Sequence, residues 1–476
     1  MITIEFGNIY CRMNGLDNYP VIKNRIAKIL SYTTGGFGAP AITNSVFSYK
    51  KNMTYTGVLP HILKIFKKAS IPFQMIDKRE KPESGDYYSI ADGFQLRDYQ
   101  LKAVMNTSTR TVIGAATGAG KTIIMAALIA HVNVKKAVVI SPELALAYQT
   151  RDEIANFLNI HVGILSGQDH DIADVMVVTP EAAMKEKTIM ENAEVILYDE
   201  CQFLGAMTIF NTALLAKKAY YRYALSATPW RDGEDDILIH AAVNVPNPKA
   251  YITASDLIKN GKLTPCNIYF VEQKDVCGWK GNYNATYEAA IVNNEERNNK
   301  ALNIIKLANE KNWGAVLILL TRIDHGNKML AKIREQFNTK NFNYIYNDVE
   351  YVINEAEYVH GGVELDRRNA VLQAAREGKV KYVIGSSIFD AGISVSCLNV
   401  LILLGSGKSS TRAFQRIGRV LRLSEGKERA YVFDFMDENN TFKKHAITRK
   451  MLYSTEKEFK NNMYLMDENL TIKNKM

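Results

Sequence analysis

A chain of 476 residues is long enough for about three domains, each with its own core. At 47% hydrophobic and 23% charged residues it falls in the ordinary globular range, which excludes wholesale disorder, and its longest apolar run, near IIMAALIAHV, is too short to span a bilayer. Basic residues number 59 against 50 acidic, and the net charge of +9 suits a protein that meets polyanions without requiring it. The cysteines (Cys11, Cys201, Cys266, Cys277, Cys397) show neither a C-x-x-C pair nor metal-ligand spacing, so no disulfide framework or zinc site is expected. The start MITIEFGNIY lacks a basic segment followed by an apolar one, which predicts a cytoplasmic protein without membrane association.

Residues 1–86 read as a small α/β module. ITIEFGNIYC alternates as a strand does, YPVIKNRIAKIL and PHILKIFKKAS are helical in pattern, TTGGFGAP is a glycine-rich turn, and AITNSVFSYK and NMTYTGVL are strand-like. In VFSYKKNMTYTG, Phe47, Tyr49, Lys50, Lys51 and Tyr55 fall across an expected hairpin. Such a hairpin can stack bases and pair phosphates, or be half-buried with an exposed lysine pair, and the pattern leaves both readings open. The polar DKREKPESGDYY reads as a linker. Over residues 87–250 short β-branched runs alternate with helices: RTVIGAA, KAVVISP, VMVVTP, AEVILYDE and YRYALSATP. Continuous apolar runs are what strands covered on both faces require. The same grammar returns over 251–445 with GAVLILL, VKYVIGSS, LNVLILLG and RAYVFDF, and residues 446–476 form a charged tail with a helical pattern. The expected fold class is α/β, with two tandem parallel-sheet domains behind the N-terminal module.

IGAATGAGKTII sits between an apolar strand and a helix, the order a phosphate-binding loop needs, although Ala115 stands where the strict pattern has glycine. Thr117, Gly118, Ala119 and Gly120 would wrap phosphates with backbone N–H groups, Lys121 would reach the β- and γ-phosphates of ATP, and Thr122 would hold Mg²⁺. In VILYDECQ a strand emerges into Asp199, suited to Mg²⁺, and Glu200, suited to activating water. AFQRIGRVLR predicts a helix carrying Gln415, Arg419 and Arg422, with the two arginines close enough to meet one anion. An arginine on the γ-phosphate is worth about 10³ to 10⁵-fold in rate in other nucleotide hydrolases.

In chain order LRDYQ, ATGAGKT, SPELALAYQ, TPE, DECQ, SATP, LLTR, SSIFDAGIS and QRIGRVLR resemble the motifs of superfamily 2 helicases and translocases, over about residues 94–436. That family tolerates alanine at the first loop position. The resemblance implies two RecA-like domains, ATP with Mg²⁺, and DNA as partner. By position it assigns Arg97 and Gln100 to reading adenine. It likewise assigns Gln202, Ser226 and Thr228 to coupling hydrolysis to motion. It implies that Pro142, Gln149, Thr179, Glu181, Thr321, Arg322 and Ser387 line the nucleic-acid track, where contacts to phosphates would give affinity without sequence choice. Two positions depart from the pattern: Gln202 stands where many relatives carry His or Asp, and Ser394 where relatives often have an Asp near ATP, so Ser394 is not assigned to the nucleotide.

LIKNGKLTPCNIYFV, HGGVELDRRN, AGISVSCLNVLIL and QRIGRVLR, behind a small N-terminal module, are similar to the phage recombination and branch-migration helicases of the UvsW type. That narrower resemblance implies 3′ to 5′ translocation on DNA, with single-stranded, forked and branched DNA as partners, unwinding of forks and four-way junctions, and remodelling of RNA–DNA hybrids in R-loops, in the cytoplasm of a bacterial host. An RNA helicase, the motor subunit of a restriction system, and a binding module with a relict ATP site are the alternatives. Motifs alone do not separate RNA from DNA.

Overall fold

The computed structural model describes residues 1–34, 42–230, 236–386, 396–405 and 410–476, which divide into two compact units, Met1–Ile252 and Thr253–Met476. The first unit opens with a four-stranded sheet in the order 53–55, 10–14, 2–6, 73–77. ITIEFGNIYC is therefore two strands, not one, because Gly7 and Asn8 turn the chain and Phe6 pairs back with Cys11. Phe73–Asp77, not anticipated as a strand, pairs in parallel with Ile2–Phe6. Helix Leu59–Lys68 buries Leu59, Ile62, Ile65 and Phe66, the spacing of one apolar stripe.

This small sheet shares its core with the larger one. The Tyr55 ring meets Phe210 edge-on at 5.3 Å, and His61 Nε2 lies 3.1 Å from His240 Nδ1. At Gly57 a β-carbon would fall 2.1 Å from the His240 carbonyl oxygen, so only glycine lets helix Asp236–Ala242 approach there. The expected linker is pinned as well: Asn133 Oδ1, at the left-handed end of helix Lys121–Val132, accepts from Tyr87 N at 2.9 Å and Tyr88 N at 3.0 Å.

The larger sheet has seven strands in the order 170–171, 163–165, 175–178, 137–140, 195–198, 221–226, 110–114, parallel except for the first pair. Arg110–Gly114, Ala137–Ile140, Val175–Val178 and Val195–Tyr198 are buried at every position, as continuous apolar runs require. Residues 246–252 cover the open edge beyond Arg110–Gly114, with Pro246 bridging Val112 and Ile252 bridging Ala115.

The second unit is built on eight strands in the order 356–359, 382–385, 315–319, 398–403, 430–437, 266–273, 463–466, 472–475. The tail expected to be helical contributes the last two: after helices Asn440–Tyr453 and Lys457–Lys460, Met463–Met466 joins Cys266–Gln273 in parallel and Ile472–Lys475 folds back on it. Its run MYLM is too short to show a period, and Tyr464 stacking on Tyr269 at 5.5 Å decides for strand. Two buried ion pairs tie helices to the central strand 430–437: Arg297 with Asp437 at 2.5 Å and Arg449 with Asp434 at 2.8 Å. Among the described residues no helix is long and apolar enough to cross a membrane.

Candidate nucleotide site and nucleic-acid face

Parallel strands in register bring separate sequence blocks to one edge. Ile140 pairs with both Val178 and Tyr198, Tyr198 with Ala224, and Gly114 with Ser226, so the residues after each strand emerge side by side. Ligand sites of open parallel sheets lie at that carboxyl edge. Strand order sorts the expected roles along it. The three adjoining strands 195–198, 221–226 and 110–114 lead into Asp199 and Glu200, the Ser226–Thr228 segment, and the phosphate loop. The neighbouring strands 137–140 and 175–178 lead into Pro142 and into Thr179 and Glu181.

In the loop, Gly118 and Gly120 take φ of 91° and 80°, which turns successive amides inward at no steric cost. Ala115 N donates to the Ser226 carbonyl and Ala116 N to the Ile252 carbonyl, at 2.8 and 2.9 Å, which fixes the root of the loop to a neighbouring strand and to the covering segment. Gln100, 4% exposed, donates from Nε2 to the Ala119 carbonyl at 2.9 Å and accepts at Oε1 from Arg97 N at 3.0 Å. A β-carbon at Gly120 would lie 2.6 Å from that Nε2, so the buried carboxamide and the glycine fit only each other. The Arg97 side chain is exposed and donates to the Tyr99 hydroxyl at 2.7 Å. Thr117 and Thr122 are half-buried at the two ends of this turn.

Lys121 and Glu200 form an ion pair, 18% and 21% exposed at the side chain. Glu200 sits in the left-handed region at φ 48°, a strained placement for a non-glycine residue that turns its carboxylate away from the line of the strand. Gln202 Nε2 donates to Glu200 Oε2 at 3.0 Å, Ser226 Oγ donates to Gln202 Oε1, and Thr228 N donates to Ser226 Oγ at 3.0 Å. One continuous chain of hydrogen bonds thus runs from the loop lysine to the SATP segment. Sequence reasoning left the partners of Gln202 open; an amide, which donates at one end and accepts at the other, joins a carboxylate to a hydroxyl. Asp199 is 5% exposed, and burial pushes its carboxyl up to about 6, Lys121 opposing the rise and Glu200 adding to it. A desolvated carboxyl of that kind gains from an adjacent cation, so Asp199 with the Thr122 hydroxyl fits Mg²⁺, which takes few protein oxygens and leaves the rest of its shell to phosphates and water.

The remaining candidates divide. Gln149 is exposed on helix Leu144–Leu158, its amide donating to Glu153 at 2.6 Å, while Thr179 is buried and Glu181 exposed at the start of helix Pro180–Lys185. In the second unit Thr321 and Arg322 are exposed beyond strand Ala315–Leu319, with Arg322 Nη2 donating to Asn284 Oδ1 at 3.0 Å. Ser387, Ser394 and most of SSIFDAGIS lie outside the described residues. Gln415 and Arg419 are half-buried one turn apart on helix Ser410–Val420, but Arg422, expected on the same helix, falls beyond its end. The stop has a physical cause: the buried Lys427 ammonium reaches back to the Val420 carbonyl at 2.6 Å and satisfies the helix terminus there. Arg222, on the strand that leads into SATP, is 1% exposed and donates to the carbonyls of Ala213, Ala216, Ala219 and Ala242, a packing role. Of the N-terminal aromatics Phe47 is buried and Tyr55 packs on Phe210, leaving Tyr49 exposed with the Lys23 ammonium 4.1 Å above its ring.

Two family models match the chain: "Type III restriction enzyme, res subunit" over residues 93–231 and "Helicase conserved C-terminal domain" over 297–424. The ATP-dependent DNA helicase uvsW of Enterobacteria phage T4 is 28% identical over 74% of this chain and 70% of its own length. The DNA 3'-5' translocase XPB2 of Sulfurisphaera tokodaii is 24% identical over 70% of this chain and 80% of its own. Among solved structures, the ATP-dependent Type ISP restriction-modification enzyme LlaBIII bound to DNA matches with a TM-score of 0.55 and 14% identity, covering 79% of this chain and 31% of that one. At that identity the likeness speaks for the fold alone.

Proposed function

We propose that this chain, which belongs to the superfamily 2 helicases and is an ATP-dependent helicase resembling the UvsW type, is a DNA translocase that unwinds or branch-migrates forked and four-way DNA in recombination, repair or replication. The proposed direction is 3′ to 5′, supported by the XPB2 relative, itself a DNA 3'-5' translocase, and by the motif resemblance. The observation that carries the reading is the sorted carboxyl edge of the first unit, where the loop, the acid pair and the SATP segment adjoin and the SPE and TPE segments follow on the next strands.

In the proposed cycle the phosphates of ATP draw Lys121 away from Glu200, since both anions compete for one ammonium. Glu200, still held by Gln202, is then free to orient and deprotonate the attacking water. Mg²⁺ bound by Asp199 and Thr122 would supply charge neutralisation at the phosphates. The loop amides hold the β- and γ-phosphates, and Gln415, Arg419 and Arg422 are assigned to the charge that builds on the transferred group. Arg97 and Gln100 are assigned to the adenine end. Gln202, Ser226 and Thr228 carry the change at Glu200 toward the nucleic-acid face. Pro142, Gln149, Thr179, Glu181, Thr321, Arg322 and Ser387 are assigned to the strand itself.

The test is steady-state ATP hydrolysis without nucleic acid and with single-stranded RNA, single-stranded DNA, a fork and a four-way junction, with Lys121→Ala as the blank. Stimulation by single-stranded or branched DNA, lost in Lys121→Ala, is expected. Stimulation by RNA alone would move the protein to RNA remodelling, and no stimulation by any of them would remove the translocase reading.

A further inference from the structure

Tryptophan is the side chain that gains most from burial, and the chain has three. Trp313 lies flat on Tyr431 with ring centroids 3.9 Å apart, and Trp230 is half-buried. Trp279 is 54% exposed at the tip of residues 274–282, the segment following strand Cys266–Gln273, with Val276 55% exposed and Lys280 exposed beside it. The segment is held in one shape. Asp275 Oδ1 accepts from Cys277 N at 3.1 Å and Gly278 N at 2.9 Å, while its Oδ2 accepts from the buried Asn439 Nδ2 at 3.1 Å. Lys280 N donates at 3.0 Å to the hydroxyl of Thr286, which is fully buried, and Gly278 and Gly281 take φ of 62° and 80° where the backbone reverses. An indole presented to water on a braced turn has its ordering entropy already spent, the condition under which a flat ligand binds best.

The turn runs directly into residues that touch the proposed nucleic-acid track. Asn284 accepts from Arg322 at 3.0 Å, and the Arg322 guanidinium lies 5.9 Å from the centre of the Tyr287 ring. Tyr287 in turn donates to the Gly405 carbonyl at 2.8 Å. We propose that Trp279 is a base-stacking platform for the single strand held at Thr321 and Arg322, with Lys280 facing the adjoining phosphates. The inference rests on the helicase reading and adds a contact that no motif in the sequence supplies. A nucleobase fits better than a peptide partner because exposed cations adjoin the turn, Lys280 next to the indole in the chain and Arg322 through its hydrogen bond to Asn284, while the one acid of the turn, Asp275, is committed to its internal hydrogen bonds.

The experiment is fluorescence anisotropy of full-length wild type, Trp279→Ala, Trp279→Phe and Arg322→Ala against a labelled oligothymidylate and an abasic strand of equal length, over a range of salt. Stacking on an aromatic side chain predicts that Trp279→Ala weakens oligothymidylate binding by about 5 to 150-fold. Trp279→Phe is expected to keep most of the affinity, and the abasic strand to bind wild type and Trp279→Ala alike. The slope of log affinity against log salt stays unchanged for Trp279→Ala, whereas Arg322→Ala lowers it by about 1. Equal binding of oligothymidylate by Trp279→Ala would overturn the inference, leaving the helicase reading intact and returning the exposed indole to a protein partner. A loss that persists on the abasic strand would overturn it too, as a structural effect of the turn. If wild type binds neither strand and no nucleic acid stimulates its ATP hydrolysis, the helicase reading itself fails.

Discussion

Lys121 is paired with Glu200, and Glu200 with Gln202. In the proposed cycle that pairing keeps Glu200, the proposed general base, neutralised until the phosphates compete for Lys121. Gln202 is the informative side chain because it bonds both to Glu200, the partner of the loop lysine, and to Ser226 of the SATP segment. Losing a hydrogen bond to a charged group costs about 1.5–3 kcal/mol. Gln202→Ala is therefore expected to lower DNA-stimulated kcat by about tenfold or more while leaving the KM for ATP nearly unchanged. Base pairs unwound per ATP should fall as well, read by following phosphate release and strand separation on the same fork. If turnover and yield per ATP both match wild type, Gln202 is not the coupling residue.

Helix Leu59–Lys68 and helix Asp236–Ala242 meet through His61 and His240, an acid-sensitive contact. Burial lowers both imidazoles, His240 to about 4, with the Lys64 charge adding to the effect on His61 and the His61 charge to that on His240. A base whose pKa is depressed by folding binds fewer protons in the folded state. Its stabilising contribution is complete above the unfolded value of about 6.5 and is lost as pH falls toward 4. Urea midpoints measured from pH 7.5 down to 5 are therefore expected to drop, and His240→Phe should flatten that dependence. A wild-type midpoint that stays level over the window would show that the pair is not buried in solution. This contact could not have been read from the sequence, since the two histidines stand far apart among patterns that give each helix only its own apolar face.

The small N-terminal sheet belongs physically to the first unit. Tyr55 packs on Phe210, and the buried Arg110 guanidinium donates to the Asn8 carbonyl. Deleting residues 1–77 would uncover apolar surface and remove one of that guanidinium's partners, so the truncated chain is expected to aggregate or melt well below wild type by circular dichroism; an unchanged melting temperature would make the sheet an appendage. The placement of the glycine-rich loop, the acid pair and the fully buried strands was legible from residue order, because a parallel sheet covered on both faces imposes unbroken apolar runs and a sharp strand-to-helix turn favours glycine. The terminal strand Met463–Met466, the end of the helix before Arg422, and the pairing of Gln100 with Ala119 were not, since each is set by a distant partner: Tyr269, Lys427 and the close approach at Gly120. Local pattern settled the class of fold and set the glycine-rich loop between a strand and a helix. Which side chains meet across that loop, and which tryptophan is left facing water, depended on contacts between residues far apart in the chain, to which periodicity and short motifs are blind.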